Sequence, residues 1–377
     1  MMSKRLDGIE ESATFRVADL ANKLKRTGKD VISFSLGEPD FDTPLHIRES
    51  AKKALDEGKT HYTPSAGISE LRESIANKFK ENGLEVNPNE IIVTPGAKQT
   101  IFEAIQAVLN EGEEAILFEP AWVSYGPCIK LAGATPVGVP VRDEDFKPYD
   151  LVEWITKKTK MIIVNTPCNP TGAVFDRSNL KMIADIAIDH ELLVLSDEIY
   201  EKILYNGEHL SIGQFDGMQD RTITINGFSK TYAMTGWRLG YATAPKKIID
   251  SMLKLQQHST SCATSFAQYG GIAALDGPQE CVTDMVKEFK ARRDLIVDGL
   301  LSLGIKCNKP DGTFYVFPNV SQFGTGADVA ERLLRDAYVA VTPGIAFGPP
   351  GKDYIRISYA ISQARISEGL DRIQKVL

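Results

Sequence analysis

Short apolar runs and longer amphipathic stretches alternate along most of the chain. Glu90–Thr94, Ala115–Phe118, Met161–Val164, Leu192–Leu195 and Arg221–Ile225 are rich in β-branched residues and read as strands. Several are apolar at consecutive rather than alternate positions, as in strands buried on both faces of a parallel sheet. Between them, residues 97–109, 122–132 and 178–190 carry helical spacing. Ile101, Ala104, Ile105 and Val108, for example, recur three and four apart and share one face. Strand and helix in strict turn predict an α/β domain over residues 45–279, with a mostly parallel, doubly wound sheet.

The pattern changes after residue 279. Residues 281–303 read as one long helix, followed by a strand at Thr313–Phe317, a helix at 327–337, strands at 338–342 and 354–359, and a last helix near 363–376. That order predicts a smaller α+β domain with a largely antiparallel sheet. A helix over 15–27 and a strand at Val31–Leu36 have no partner in the central pattern and are expected to join it. The expected organisation is an N-terminal arm (1–14), a small domain built from both chain ends (15–44 and 280–377) and a large domain (45–279).

Composition narrows the classes. The 377 residues include 43 Lys and Arg against 50 Asp and Glu, a net charge of −7, which disfavours a dedicated nucleic-acid or anionic-membrane surface. With 43% hydrophobic and 25% charged residues the chain suits a globular fold rather than disorder. No apolar run approaches the ~18 residues of a membrane span. The first fifteen residues carry no apolar segment of the secretory kind, so no signal peptide is expected. Cysteines at 128, 168, 262, 281 and 307 are scattered, which excludes a disulfide framework or a CxxC site and suggests a reducing cytoplasm. The dispersed histidines form no HExxH motif, and no metal site is expected.

Ligands of open parallel sheets bind outside the carboxyl ends of the strands. Four strand ends here carry polar residues. Pro95-Gly96-Ala97-Lys98 opens a helix whose free amides suit an anion. Asn169 follows Met161–Val164, and Ser196-Asp197-Glu-Ile-Tyr200 follows Leu192–Leu195. Ser229-Lys230 and then Arg238 follow the strand ending at Ile225. An anion cradle, an amide, a carboxylate with a phenol, and a lysine with an arginine form the set a pyridoxal phosphate site requires. A carboxylate directly after a wholly apolar strand also needs a cationic partner, which a mere helix cap would not supply.

Seven motifs in this order carry a family likeness. They are Ser35-Leu-Gly37-Glu-Pro-Asp-Phe41, Tyr62-Thr-Pro-Ser-Ala-Gly67, Pro120-Ala-Trp122, Asn169-Pro-Thr-Gly172, Ser196-Asp-Glu-Ile-Tyr200, Ser229-Lys230 with Gly236-Trp-Arg238-Leu-Gly240, and Tyr354-Ile-Arg356-Ile-Ser358. Over nearly its whole length the chain resembles the fold-type I, pyridoxal-phosphate-dependent aminotransferases of the aspartate aminotransferase class. That resemblance implies a large PLP-binding domain, a small domain, and a homodimer with shared active sites.

It also implies residue roles. Lys230 would bond pyridoxal 5′-phosphate and later shuttle the substrate α-proton. Asp197 would pair with the ring nitrogen, Tyr200 and Asn169 would bond the ring hydroxyl, and Trp122 would stack on the ring. The phosphate would meet Arg238, the Gly96-Ala97-Lys98 helix opening, and Tyr62 from a second subunit. Where some relatives place a serine three residues before the lysine this chain has Gly227, and Ser229 is the candidate substitute. Arg356 would clamp the substrate α-carboxylate, with the Gly37 amide, Asn169 and Trp122 nearby. Tyr125 stands where some relatives have a histidine supporting the aspartate. Lys98 is the candidate second cation for acidic substrates.

The expected activity is transfer of the amino group of aspartate to 2-oxoglutarate in a ping-pong cycle. Aromatic, kynurenine, prephenate or alanine-type transfer on the same fold is the alternative, and a PLP-dependent lyase or ligand-binding regulator is more remote. A nicotinamide dehydrogenase would need a GxGxxG after a strand, which the sequence lacks.

Overall fold

The computed structural model describes residues 3–142 and 145–377. Helix α1 (Ala13–Arg26) leads into strand β1 (Ile32–Ser33), and helices α2 (Leu45–Asp56) and α3 (Ser69–Glu81) follow. Seven strands then build one sheet: β2 (Ile91–Thr94), β3 (Glu114–Glu119), β4 (Thr135–Pro140), β5 (Thr159–Asn165), β6 (Leu193–Asp197), β7 (Thr222–Gly227) and β8 (Gly240–Thr243). Helices α4 (Ala97–Val108), α5 (Tyr125–Leu131) and α6 (Arg177–Asp189) connect them, and α7 (Lys246–Ser259) and α8 (Ser265–Asp276) come after.

The order across this sheet is β2-β8-β7-β6-β5-β3-β4. Only β8 runs against the rest, pairing antiparallel with both β2 and β7. Neither β4 nor β8 was expected from the apolar pattern. β4 is the edge strand, and its prolines and glycine are tolerable only where one side needs no ladder bonds. β8 is four residues long and immediately follows the Trp-Arg-Leu motif.

Alternation within the central strands covers both faces. Met161 and Ile163 pack with Ile101, Ile105 and Ile129 on one side, while Ile162 and Val164 pack with Leu180, Ile183 and Ala187 on the other. Helix α6 is fixed at its start by Asp176, whose carboxylate accepts from the Ser178 and Asn179 amides. Helix α5 is shorter than the 122–132 periodicity suggests, because Trp122–Ser124 form a turn and the helix begins at Tyr125.

Both chain ends meet in a second, smaller layer. It holds α9 (Glu280–Ser302), β9 (Tyr315–Val316), α10 (Gly326–Ala337), β10 (Val339–Ala340), β11 (Thr342–Pro343), β12 (Ile355–Ser358) and α11 (Gln363–Gln374). Instead of one sheet there are two. β11-β12-β9 is antiparallel, and β1 pairs with β10 in parallel. The expected strand at 338–342 therefore divides, half serving each sheet. The strand expected at Thr313–Phe317 shortens because Thr313 sits at φ 62°, outside extended backbone. One core, including Phe34, Phe289, Phe314, Leu333, Ile357 and Tyr359, holds this layer together. Among the described residues no helix is long and apolar enough to cross a membrane.

Candidate active site

Register decides what the strand ends share. Asn165 lies opposite Asp197, Asp197 opposite Ile225, and Gly240 opposite both Gly227 and Thr94. The residues just beyond these positions therefore crowd into one cleft at the carboxyl edge, roofed by the smaller layer. The cavity there is about 400 Å³. Gly37, Ala97, Lys98, Trp122, Asn169, Asp197, Tyr200, Ser229, Lys230, Arg238 and Arg356 all line it, as the sequence motifs anticipate.

Asp197 is buried at the floor. Its Oδ2 accepts from the Tyr125 hydroxyl at 2.6 Å and its Oδ1 from the Ile199 amide at 3.2 Å. Loss of solvent pushes its pKa up to about 6, although these donors and Lys230 favour the anion. No cationic side chain reaches it within ion-pair distance among the described residues.

Lys230 is lodged beneath the loop carrying Gly37 and donates to the Gly37 carbonyl. Removal from water pushes its pKa down to about 8; Glu38 opposes this, while Arg356, Arg238 and Lys98 reinforce it. At that value a useful fraction of the amine is neutral and nucleophilic near pH 7.

Arg356 is 2% exposed and has no carboxylate partner among the described residues. Its Nη1 donates to Asn169 Oδ1 at 3.0 Å, its Nη2 donates to the Ser35 carbonyl at 2.8 Å, and its Nε has no partner among the described residues. Its guanidinium also lies 4.5 Å above the Tyr315 ring centroid. Burial lowers its pKa, because withdrawal from water disfavours the charged form.

Arg238 occupies the left-handed region, at φ 52°, and its guanidinium lies against Gly96, where any Cβ would collide with it. Gly240 is likewise pressed on the Ala97 amide. Two glycines thus bring an arginine and the opening of α4 to one spot, leaving the first helix amides free for an anion.

Lys98 extends between two rings, its Nζ 5.0 Å from the Trp122 centroid and 5.4 Å from that of Phe15. In all, four cationic side chains and two carboxylates, Asp197 and Glu38, line the cleft. An anionic ligand with one cationic ring atom satisfies this balance. Pyridoxal 5′-phosphate fits on each count: a phosphate for Arg238 and α4, a ring nitrogen for Asp197, and an aldehyde for Lys230. A larger apolar groove of about 700 Å³ beside Phe41 and Met285 is different, because its charged groups are Asp42, Glu49 and Asp284.

Two expected members stand apart. Gly96 lies behind Arg238 rather than in the cavity wall, and Tyr62 is 89% exposed and outside the cleft. Others were missed. Tyr315 read as an ordinary strand residue, Phe15 as the start of a helix, and Asn165, just past a strand, was given no role. Asn165 bridges the Asp197 carbonyl, at 3.0 Å, and the Asn169 amide, at 2.9 Å. Behind Asp197, Glu198, Glu201 and His209 form a second buried polar cluster, with Lys78 paired to Glu201 at 2.9 Å.

Comparison with known proteins agrees with this geometry. The family model described as aminotransferase class I and II matches residues 29–373. An aspartate aminotransferase of Pyrococcus abyssi is 46% identical, covering 100% of this chain and 98% of the relative. An aromatic-amino-acid aminotransferase of Thermococcus litoralis is 43% identical, with coverage of 100% and 98%. The solved structure of Thermus thermophilus aspartate aminotransferase with maleate superposes with a TM-score of 0.97 at 42% identity, covering 100% of both chains.

Proposed function

The chain belongs to the class I and II aminotransferases, and on that premise we propose that it moves the amino group of aspartate to 2-oxoglutarate. Pyridoxal 5′-phosphate, when bound, supplies an electron sink that stabilises charge developing at the substrate α-carbon. The protein groups do the rest. Lys230 would hold the cofactor through its amine and, when that amine is displaced by the substrate's amino group, would carry the proton to and from the substrate α-carbon. Asp197, oriented by Tyr125, keeps the ring nitrogen cationic. Tyr200 and Asn169 meet the ring hydroxyl, and Trp122 covers one face. Arg238, the Ala97 and Lys98 amides and Ser229 receive the phosphate. Arg356, with Gly37 and Asn169 beside it, grips the α-carboxylate in a site too dry to leave that charge unpaired.

The observation carrying the acidic specificity is Lys98, a cation at the mouth with no carboxylate partner among the described residues. The rings of Trp122 and Phe15 around it favour a second reading, transfer from aromatic donors, in keeping with the name of the Thermococcus relative. The same reading takes residues 45–279 as the large domain, 15–44 with 280–377 as the small one, and 1–14 as the arm. It also makes the active unit a homodimer, since an 89% exposed Tyr62 can complete a site only in another subunit. Five free cysteines support a reducing, cytoplasmic setting.

Purified protein should be yellow and should bleach on addition of aspartate; failure to bleach with any amino acid refutes the activity. A donor panel against 2-oxoglutarate decides between aspartate and aromatic transfer. Sedimentation at assay concentration tests the dimer, and a fully active monomer would overturn it.

A further inference from the structure

Tyr200 and Tyr315 face each other across the boundary between the two layers. Tyr200 follows β6 of the large sheet, and Tyr315 belongs to β9 of the small one. Both are buried, 3% and 1% exposed, and their hydroxyls lie 2.9 Å apart. Neither hydroxyl has another hydrogen-bond partner among the described residues. Such a pair holds two protons and one mutual bond. One hydroxyl therefore donates to its neighbour, and the second proton must find an acceptor in the cavity that both residues line.

Two features fix the direction. The Tyr315 hydroxyl is pressed against Gly37, where any Cβ would collide with it, and the Gly37 carbonyl is taken by Lys230. The Arg356 guanidinium, 4.5 Å above the Tyr315 ring centroid, draws electron density from that ring and makes its O–H the stronger donor.

We propose that Tyr315 is a positioning residue with two duties: its hydroxyl donates to Tyr200 and so commits the Tyr200 proton to the cofactor's ring oxygen, and its ring seats Arg356 for the substrate carboxylate. This rests on the placement of Tyr200 at the ring hydroxyl given above. Accepting a hydrogen bond makes Tyr200 a better donor in turn, because bonds in a chain polarise one another. With the cofactor held on Lys230, its ring oxygen and the lysine nitrogen would share one proton. A firm donor on the oxygen lets that proton leave at lower pH, so losing the Tyr315 hydroxyl should raise the midpoint of the holoenzyme's pH-dependent colour change.

The test is absorbance titration of holoenzyme with variants of both tyrosines. Tyr315→Phe should raise the midpoint by roughly 0.2–0.7 pH unit, and Tyr200→Phe by more. The affinity for maleate, read from the same spectra, should stay within about twofold in Tyr315→Phe, which keeps the ring. Tyr315→Leu should weaken it roughly fivefold to thirtyfold. Gly37→Ala, whose methyl would push the same hydroxyl off Tyr200, should raise the midpoint as well and serves if Tyr315→Phe fails to load cofactor. A midpoint that moves in Tyr200→Phe but in neither Tyr315→Phe nor Gly37→Ala overturns the first duty. Equal maleate affinity in Tyr315→Leu and wild type overturns the second. If Tyr200→Phe also leaves the midpoint unmoved, the placement of Tyr200 itself is wrong.

Discussion

Replacing Lys98 by alanine separates the donor specificity proposed here from the chemistry all aminotransferases share. On the proposed assignment Arg356 serves the α-carboxylate that every amino acid carries, so discrimination needs a second cation. Lys98 stands at the cleft mouth, 5.0 Å from the Trp122 ring centroid, with no carboxylate partner among the described residues. A distal carboxylate arriving there gains a charge-assisted bond in a partly desolvated site. The side chain stays open to water on one side, which screens the pair and lowers its worth from a buried value toward a surface one. Allowing for that, the loss in Lys98→Ala should be about 1–3 kcal/mol, or roughly 5- to 150-fold in kcat/KM for aspartate and glutamate. Alanine and phenylalanine, with no distal charge, should change by less than about threefold. The assay is kcat/KM for all four donors in both proteins.

Burial, and then the Arg238 charge, lower the Lys98 pKa. The wild-type preference for dicarboxylates is present below that pKa and should fade with rising pH earlier than an ordinary lysine would allow. An equal fall across the four donors would mean that Lys98 serves the cofactor phosphate, and the acidic specificity would be refuted.

Three further outcomes are expected. Lys230→Ala should still bind pyridoxal phosphate yet keep less than about a hundredth of wild-type kcat; in the wild-type apoprotein, the rate of cofactor loading should climb as pH passes about 8, and a midpoint near that of a free lysine would refute the depressed pKa. Asp197→Ala should slow α-proton exchange more than it weakens phosphate binding, Asp197→Glu should retain more activity than the alanine, and intact exchange in Asp197→Ala would remove its role. Burial works to lower the His209 pKa, but Glu198, with Glu201 assisting and Lys78 counteracting, leaves it raised. Its folded pKa is raised, so the stability it adds is complete below about 6.5 and is lost as pH rises through the raised value. His209→Gln should cost on the order of 3 kcal/mol at pH 6 and flatten that slope in thermal unfolding; a parallel pH dependence in both proteins would contradict it.

Much of the cleft was legible in the chain because strand ends are local events. A buried parallel strand must be apolar throughout, and the chain must turn polar where it leaves the sheet. Asn169, Asp197, Lys230 and Arg238 were therefore visible as residues following apolar runs. β4 and β8 escaped for the complementary reason. An edge strand with prolines and a four-residue strand lack the length over which periodicity registers.

Sequence by itself thus determined the layered α/β architecture, the order of the chemical groups, and the family. It could not show that Tyr315 faces Tyr200 and Arg356, because those residues are 115 and 41 positions away and their meeting depends on how β9 and β12 dock over the large sheet. Nor could it bring Phe15 to Lys98, or leave Tyr62 bare on the surface while its motif neighbour Gly67 packs on Val93. Periodicity reports which face of an element is buried. Which partner buries it, and so which pKa values shift and which charges lack a counter-ion, is decided only when distant elements close around the cleft and exclude water.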